Sequence, residues 1–332
     1  MQSNPPLIGR DVTAGAVAGL APAAAPARVR QRGRLFRRSE RAPGEPRLFV
    51  AYLFILPALA FFATFTLAPL LHAVVLSFYN WDGLGPKTFA GFSNYTAAAK
   101  DPAIRSTYGH VLELFAFYTI LPITLGLMLT ALLTRAPIRG LTFFRTVLFL
   151  PATISGVVVA QAWIWIYDEG GPLNRLLRGV GLGSLAHAWL GSFTWALPAV
   201  GVVGTWVSYG LCMVLFIAGV QRIPSSLYEA ARVDGAGAVR EFLAVTLPGL
   251  RGEIAVALML TTVNALRSFD IVWNTTEGGP GGATTVPSVL MYLNGFTYNR
   301  VGYASAIAVM LALSILVVVG LIHTLSERWA RI

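Results

Sequence analysis

Thr261, Asn264, Ala265 and Ser268 stand at i, i+3, i+4 and i+7 of an otherwise apolar run, so a helix would carry them on one face. Ser208 interrupts a second apolar run. Hydroxyls and a carboxamide are neutral donors and acceptors. They suit hydrogen bonding to a hydroxyl-rich solute, and equally the hydrogen bonds that join packed helices to one another. Arg267 and Asp270, at i and i+3 of the same run, have the spacing of a structural ion pair, which would lower the cost of charge in an apolar setting.

Reactive chemistry is not signalled elsewhere. HExxH and GxSxG are absent, and His72, His110, His187 and His323 lack ligand-like spacing. Cys212, the single cysteine, makes no intrachain disulfide and reads as apolar packing. "GLGPKT" (83–88) has proline where a phosphate loop has glycine, and "EGGPGGATT" (277–285) lacks a lysine. No catalytic residue, metal site or bound cofactor is expected, and the chain is not expected to be an enzyme by itself.

The elements that must position these residues are long apolar helices. Of 332 residues, 55% are hydrophobic and 12% charged, with a mean hydropathy of +0.65, against roughly 25% charged in soluble domains. Thr146–Tyr167 runs 22 residues without a charge and Val301–Ser326 runs 26, where a membrane-spanning helix needs about 20. The expected fold is all-α: a polytopic membrane bundle with six spans near 49–77, 111–134, 144–167, 195–220, 254–275 and 301–323. The first apolar run is too long for a cleaved signal and reads as a retained helix.

Basic residues orient the spans. Eighteen lysines and arginines fall in the N-terminal tail, the 135–145 and 222–251 connections and the C-terminus, against six in the alternate connections. That split places both termini and the 222–251 connection in the cytoplasm. Residues 1–47 read as a disordered basic tail, 48–325 as the membrane domain, and 326–332 as a cytoplasmic C-terminus. The net charge of +10 is therefore mainly a topology signal, and the tail faces anionic lipid rather than nucleic acid.

One connection is more than a linker. Around 224–248 the pattern gives two short helices. Pro224 with Ser225 or Ser226 starts the first, and Asp234-Gly235 ends it. The second runs from about Ala238 to Val245, before Pro248. Leu227, Ala230, Ala231 and Asp234 share a narrow, methyl-rich face, with Glu229 and Arg232 at its rim. Small side chains let a partner's backbone approach, so this island reads as a docking knob for a cytoplasmic partner.

Glu229-Ala230-Ala231, Gly235 and Leu247-Pro248 resemble the EAA motif of binding-protein-dependent ABC importer permeases. "GVQRIPSSLYEAARVDGAGAVREFLAVTLP" is similar to the carbohydrate, maltose/glycerol-phosphate type in particular. "FAGFSNYTAAAKDP", "FFRTVLFLP", "FDIVWNTTEGGP" and "GYASAIAV" resemble further segments of that family. One departure is Gly252, where the family often has proline.

The resemblance implies a type I importer permease for a sugar, polyol or glycoside. Tyr228, Glu229, Ala230, Ala231, Asp234, Gly235 and Ala236 would form coupling helices seated on an ATPase. ATP and Mg would be bound by that ATPase, not by this chain. Partners would be a second related permease, two ATPase subunits and an extracytoplasmic solute-binding protein. The family's solute cavity lies at its fourth and fifth helices, which favours a lining role for Ser208, Thr261, Asn264, Ala265 and Ser268. A stand-alone secondary transporter of a small polar solute is the alternative. That class usually carries internal repeats and intramembrane ionisable relays, of which the sequence shows one charged pair and no convincing repeat.

Overall fold

The computed structural model describes residues 48–135 and 140–330. The basic tail expected over 1–47, part of the 135–145 connection and the last two residues lie outside the described residues. The chain divides into a unit ending at Pro57, helical from Leu48, and a second unit, Ala58–Ile332.

Among the described residues, five helices are long and apolar enough to cross a membrane. They are α1 (Tyr52–Leu76), α3 (Pro102–Thr134), α7 (Ala196–Val220), the 26-residue stretch Arg251–Thr276, and the last helix, Val301–Glu327 within a helix that reaches Ala330. A bent pair, Leu141–Thr153 and Gly156–Gly179, whose axes meet at 98°, makes a sixth if it is counted as one span. The span expected over 144–167 falls on this pair and is broken within it. Pro151 sits in a 3-10 turn, Leu150–Thr153, and Ser155 is extended (ψ 137°), so the ladder of α4 (Leu141–Phe149) cannot continue into α5 (Gly156–Tyr167).

The remaining elements connect these helices. β1 (Tyr79–Asn80) and β2 (Thr88–Phe89) form a small antiparallel ribbon, followed by α2 (Ser93–Lys100). α6 (Pro172–Gly179) follows α5. α8 (Ser225–Val233) and α9 (Ala238–Glu241) lie between α7 and α10 (Arg251–Leu266). α11 (Asp270–Thr276), α12 (Pro287–Tyr292) and α13 (Val301–Ala330) complete the order.

α7 is the central helix. Fourteen of its 25 residues are buried, and it packs along α3. Glycines make that approach possible. At Gly126 of α3 an added Cβ would stand 2.8 Å from the Cβ of Cys212, and at Gly210, where α7 meets α4, 2.4 Å from the Leu148 carbonyl oxygen. Cys212 is fully buried beside Phe216, Leu250 and Ala257, the apolar packing its sequence setting implied. Aromatic side chains pack on one another: Trp163 meets Trp206 edge-on at 5.8 Å, and Phe269 stacks on Trp273, also at 5.8 Å. Trp165 is 68% exposed.

The start of α13 is locked to the first loop. Gly302 donates its N–H to the Trp81 carbonyl, and an added Cβ there would sit 1.9 Å from the Tyr79 carbonyl oxygen. Beside it, the Tyr303 hydroxyl donates to Asp101 at 2.9 Å, while the other Asp101 oxygen caps α3 at the Ala103 N–H. Gly302, Ala304 and Ala306 are buried along the start of α13. Asp82 closes the turn before β2 by accepting from Leu84 and Gly85, bonds that hold its carboxyl below the usual range.

Candidate functional site

Two places in the second unit gather the residues of interest. The first is the connection between α7 and α10. α8 begins at Pro224 rather than with a serine cap; Ser225 and Ser226 lie inside the helix, and no side chain caps it. Its end follows expectation. Gly235 is left-handed (φ 75°), and the Ala236 N–H reaches back to the Ala231 carbonyl at 2.9 Å, closing a Schellman turn.

Beyond it, α9 does not stop before Pro248. It opens into a π turn, Phe242–Thr246, in which the Leu247 N–H bonds to the Phe242 carbonyl, and Pro248 enters the next helical turn. Proline is accommodated there because it occupies the first turn of that helix, where its missing N–H has no partner to lose.

Glu229, Ala230, Asp234 and Gly235 are exposed, as are Leu227 and Val233, the latter at 88%. Tyr228, Ala231 and Ala236 are half-buried on the opposite side. Arg232 is not a free rim charge. Its Nε donates to Glu241 at 2.9 Å, and that bond raises the arginine pKa further. The Tyr228 hydroxyl and Thr246 share a second hydrogen bond at 3.1 Å, and Arg222 reaches Glu253 at 3.4 Å across the neck of the loop. The knob is thus exposed at its tip and braced at its base.

The second place is a cavity of about 330 Å³ between α3, α5, α7 and the break that follows α10. Ser208, Asn264 and Ser268 line it, together with Tyr118, Arg267 and Asp270. Thr261 and Ala265 do not. Thr261 is buried and donates to its own helix at Ala257 (2.8 Å), and Ala265 is fully buried in an apolar cluster with Val200 and Val289. The single-face expectation therefore holds for only part of the set. The helix ends at Leu266, so Ser268 is placed by non-helical backbone, while Thr261 turns into the protein.

The same break corrects the ion pair. Arg267 caps α10 (ψ 14°) and Asp270 opens α11, so the i, i+3 relation of a continuous helix is lost. Among the described residues no ion pair joins them. Irregular backbone within a membrane span is tolerated where it lines a cavity, and here it does.

Tyr118 had no sequence signal of its own, lying in the apolar segment Ala116–Ile120. That segment is a π turn, and the Phe117 carbonyl freed by it accepts from Thr205 at 2.6 Å. The clue was on the facing helix, where Gly201 and Gly204 leave room for Phe117 and Tyr118.

A bundle of apolar helices with a polar cavity at a helix break, and an exposed two-helix loop braced from behind, is an architecture suited to a membrane transport subunit. Residues 123–331 match the family of binding-protein-dependent transport system inner membrane components. The probable ABC transporter permease YurN of Bacillus subtilis is 38% identical over 275 residues, covering 80% of this chain and 94% of that protein. The diacetylchitobiose uptake permease NgcF of Streptomyces coelicolor is 34% identical over 291 residues, covering 84% and 82%. A solved bacterial alginate ABC transporter, in complex with alginate pentasaccharide-bound periplasmic protein, contains a chain of the same fold. Its TM-score is 0.72 at 22% identity, over 85% of this chain and 95% of that one.

The chain belongs to this family, as a multi-pass permease of the carbohydrate ABC importer type. That assignment replaces the alternative of a stand-alone secondary transporter.

Proposed function

We propose that this chain forms one half of the path by which an ATP-driven importer moves a sugar or related polyol or glycoside, and that its α8–α9 loop transmits the ATPase stroke. The observation that carries the reading is the cavity at the α10–α11 break, where Ser208, Asn264 and Ser268 offer neutral hydrogen bonds beside the charged Arg267 and Asp270. A relative named for diacetylchitobiose uptake supports the sugar class.

The other half of the path is a second, related permease. Two ATPase subunits bind the nucleotide and Mg, and this chain binds neither. An extracytoplasmic binding protein delivers the solute. Closure of the ATPases moves the permeases as rigid bodies, opening the path alternately to each side.

Asn264→Leu tests the path, since it keeps the approximate volume and removes both donor and acceptor. Sugar uptake by the assembled complex should fall about tenfold, the scale of one or two lost hydrogen bonds. Normal uptake, or a complex that no longer assembles, contradicts a lining role.

Both termini and the α8–α9 loop are cytoplasmic in this reading. Periplasmic-active reporter fusions at residues 185 and 285 should be active, and cytoplasmic-active fusions at the same positions silent. The reverse pattern inverts the topology.

A further inference from the structure

Two residues that line the cavity carry buried hydroxyls that the protein itself leaves unanswered. The Tyr118 side chain is 5% exposed and Ser268 is 8% exposed, and neither hydroxyl has a hydrogen-bond partner within the protein. Both residues line the same cavity. Orphaned buried polar groups are rare, because each carries an uncompensated desolvation cost.

Neither is a packing accident of one loose side chain. Tyr118 is set by a π turn, Ala116–Ile120, a device that recurs at functional sites. Its ring is pressed against α7 at Gly204, where an added Cβ would lie 2.1 Å from the ring edge. The phenol is therefore fixed in direction. Ser268 is fixed as well, because its carbonyl accepts from the Ser288 hydroxyl and its residue sits in the non-helical link between α10 and α11.

We propose that Tyr118 is a direct ligand of the transported sugar and, with Ser268, sets specificity by hydrogen bonding to sugar hydroxyls. The inference rests on the sugar-importer reading above. A rigid phenol and a rigid serine hydroxyl fix two donor–acceptor positions in advance, so a ring with hydroxyls at the matching spacing is held at little ordering cost. Substrates lacking one of those hydroxyls leave a buried group unpaired and are rejected.

The test uses Tyr118→Phe and Ser268→Ala in the full importer with its binding protein, reconstituted in lipid. Diacetylchitobiose, lactose, trehalose and xylose serve as probes of sugar-stimulated ATP hydrolysis and uptake. Removing a hydroxyl that bonds to nothing in the protein leaves Tm unchanged or raised. Each variant should raise the half-saturating concentration of the sugar that works best on wild type by about tenfold, and the deoxy analogue of that sugar should lose less in the variant than in wild type. A fall in Tm shows an internal partner and overturns the proposal, as does wild-type half-saturation in Tyr118→Phe. A wild-type complex that answers to none of the four sugars overturns the sugar reading itself, and the proposal with it.

Discussion

Gly235→Val is expected to leave the chain in the membrane and strip it of its ATPase. Gly235 is left-handed at φ 75°, and nothing lies within 4 Å of where its Cβ would be. The effect is thus free of collision and comes from backbone conformation alone. A side chain in this region costs about 1–2 kcal/mol, and a β-branched one sits at the upper end. Since about 1.4 kcal/mol is tenfold in population, the Schellman turn through Ala231 and Ala236 should be disfavoured about tenfold against other conformations of the loop.

The exposed face of Glu229, Ala230 and Asp234 would then point elsewhere. Gly235→Asn, which tolerates the left-handed region, should behave as wild type, separating conformation from contact. Glu229→Lys makes the complementary change, keeping the turn and reversing an exposed charge at the rim. ATPase co-purification and sugar-stimulated hydrolysis, measured on all three, decide the matter. Wild-type values for both Gly235→Val and Glu229→Lys would reduce the knob to an ordinary loop.

Charge reversal at the brace should be nearly as damaging, and reversible. Glu241 is 9% exposed and has Arg232 as its partner at 2.9 Å. In Arg232→Glu a buried carboxylate faces a second one, and in Glu241→Arg a cation is driven under an exposed guanidinium. Either variant should tilt α8 away from α9 and cut sugar-stimulated hydrolysis about tenfold, the scale of a broken, partly buried pair. The double exchange, Arg232→Glu with Glu241→Arg, restores the attraction and should recover most of the stimulation. If Arg232 acted by touching the ATPase, the exchange would not rescue it, and the brace would be refuted.

What the sequence disclosed depended on how local the cause was. The ends of α8 were legible because Pro224 and Gly235 act on their own backbone. Long apolar spans were legible because lipid demands length. The bend at Leu150–Thr153 was visible in principle through Pro151, but the surrounding hydropathy concealed it. The face shared by Thr261, Asn264 and Ser268 assumed a helix that stops at Leu266, and the Arg267–Asp270 pair failed for the same reason. Tyr118 was out of reach because its role depends on Gly204, 86 positions further along the chain, and on a π turn with no local signature.

The closure of Gly302 on the Tyr79 carbonyl has a consequence for how such a chain can diverge. The genetic code offers glycine no smaller neighbour, so every amino-acid change open to that codon adds a carbon where 1.9 Å is available. The start of α13 can therefore drift only if the loop at Tyr79–Trp81 moves first, and that loop is itself tied down through Asn94, which donates to the Tyr79 carbonyl at 3.0 Å. Residues far apart in the gene are bound to a shared history: a lineage that alters one must already have altered the other.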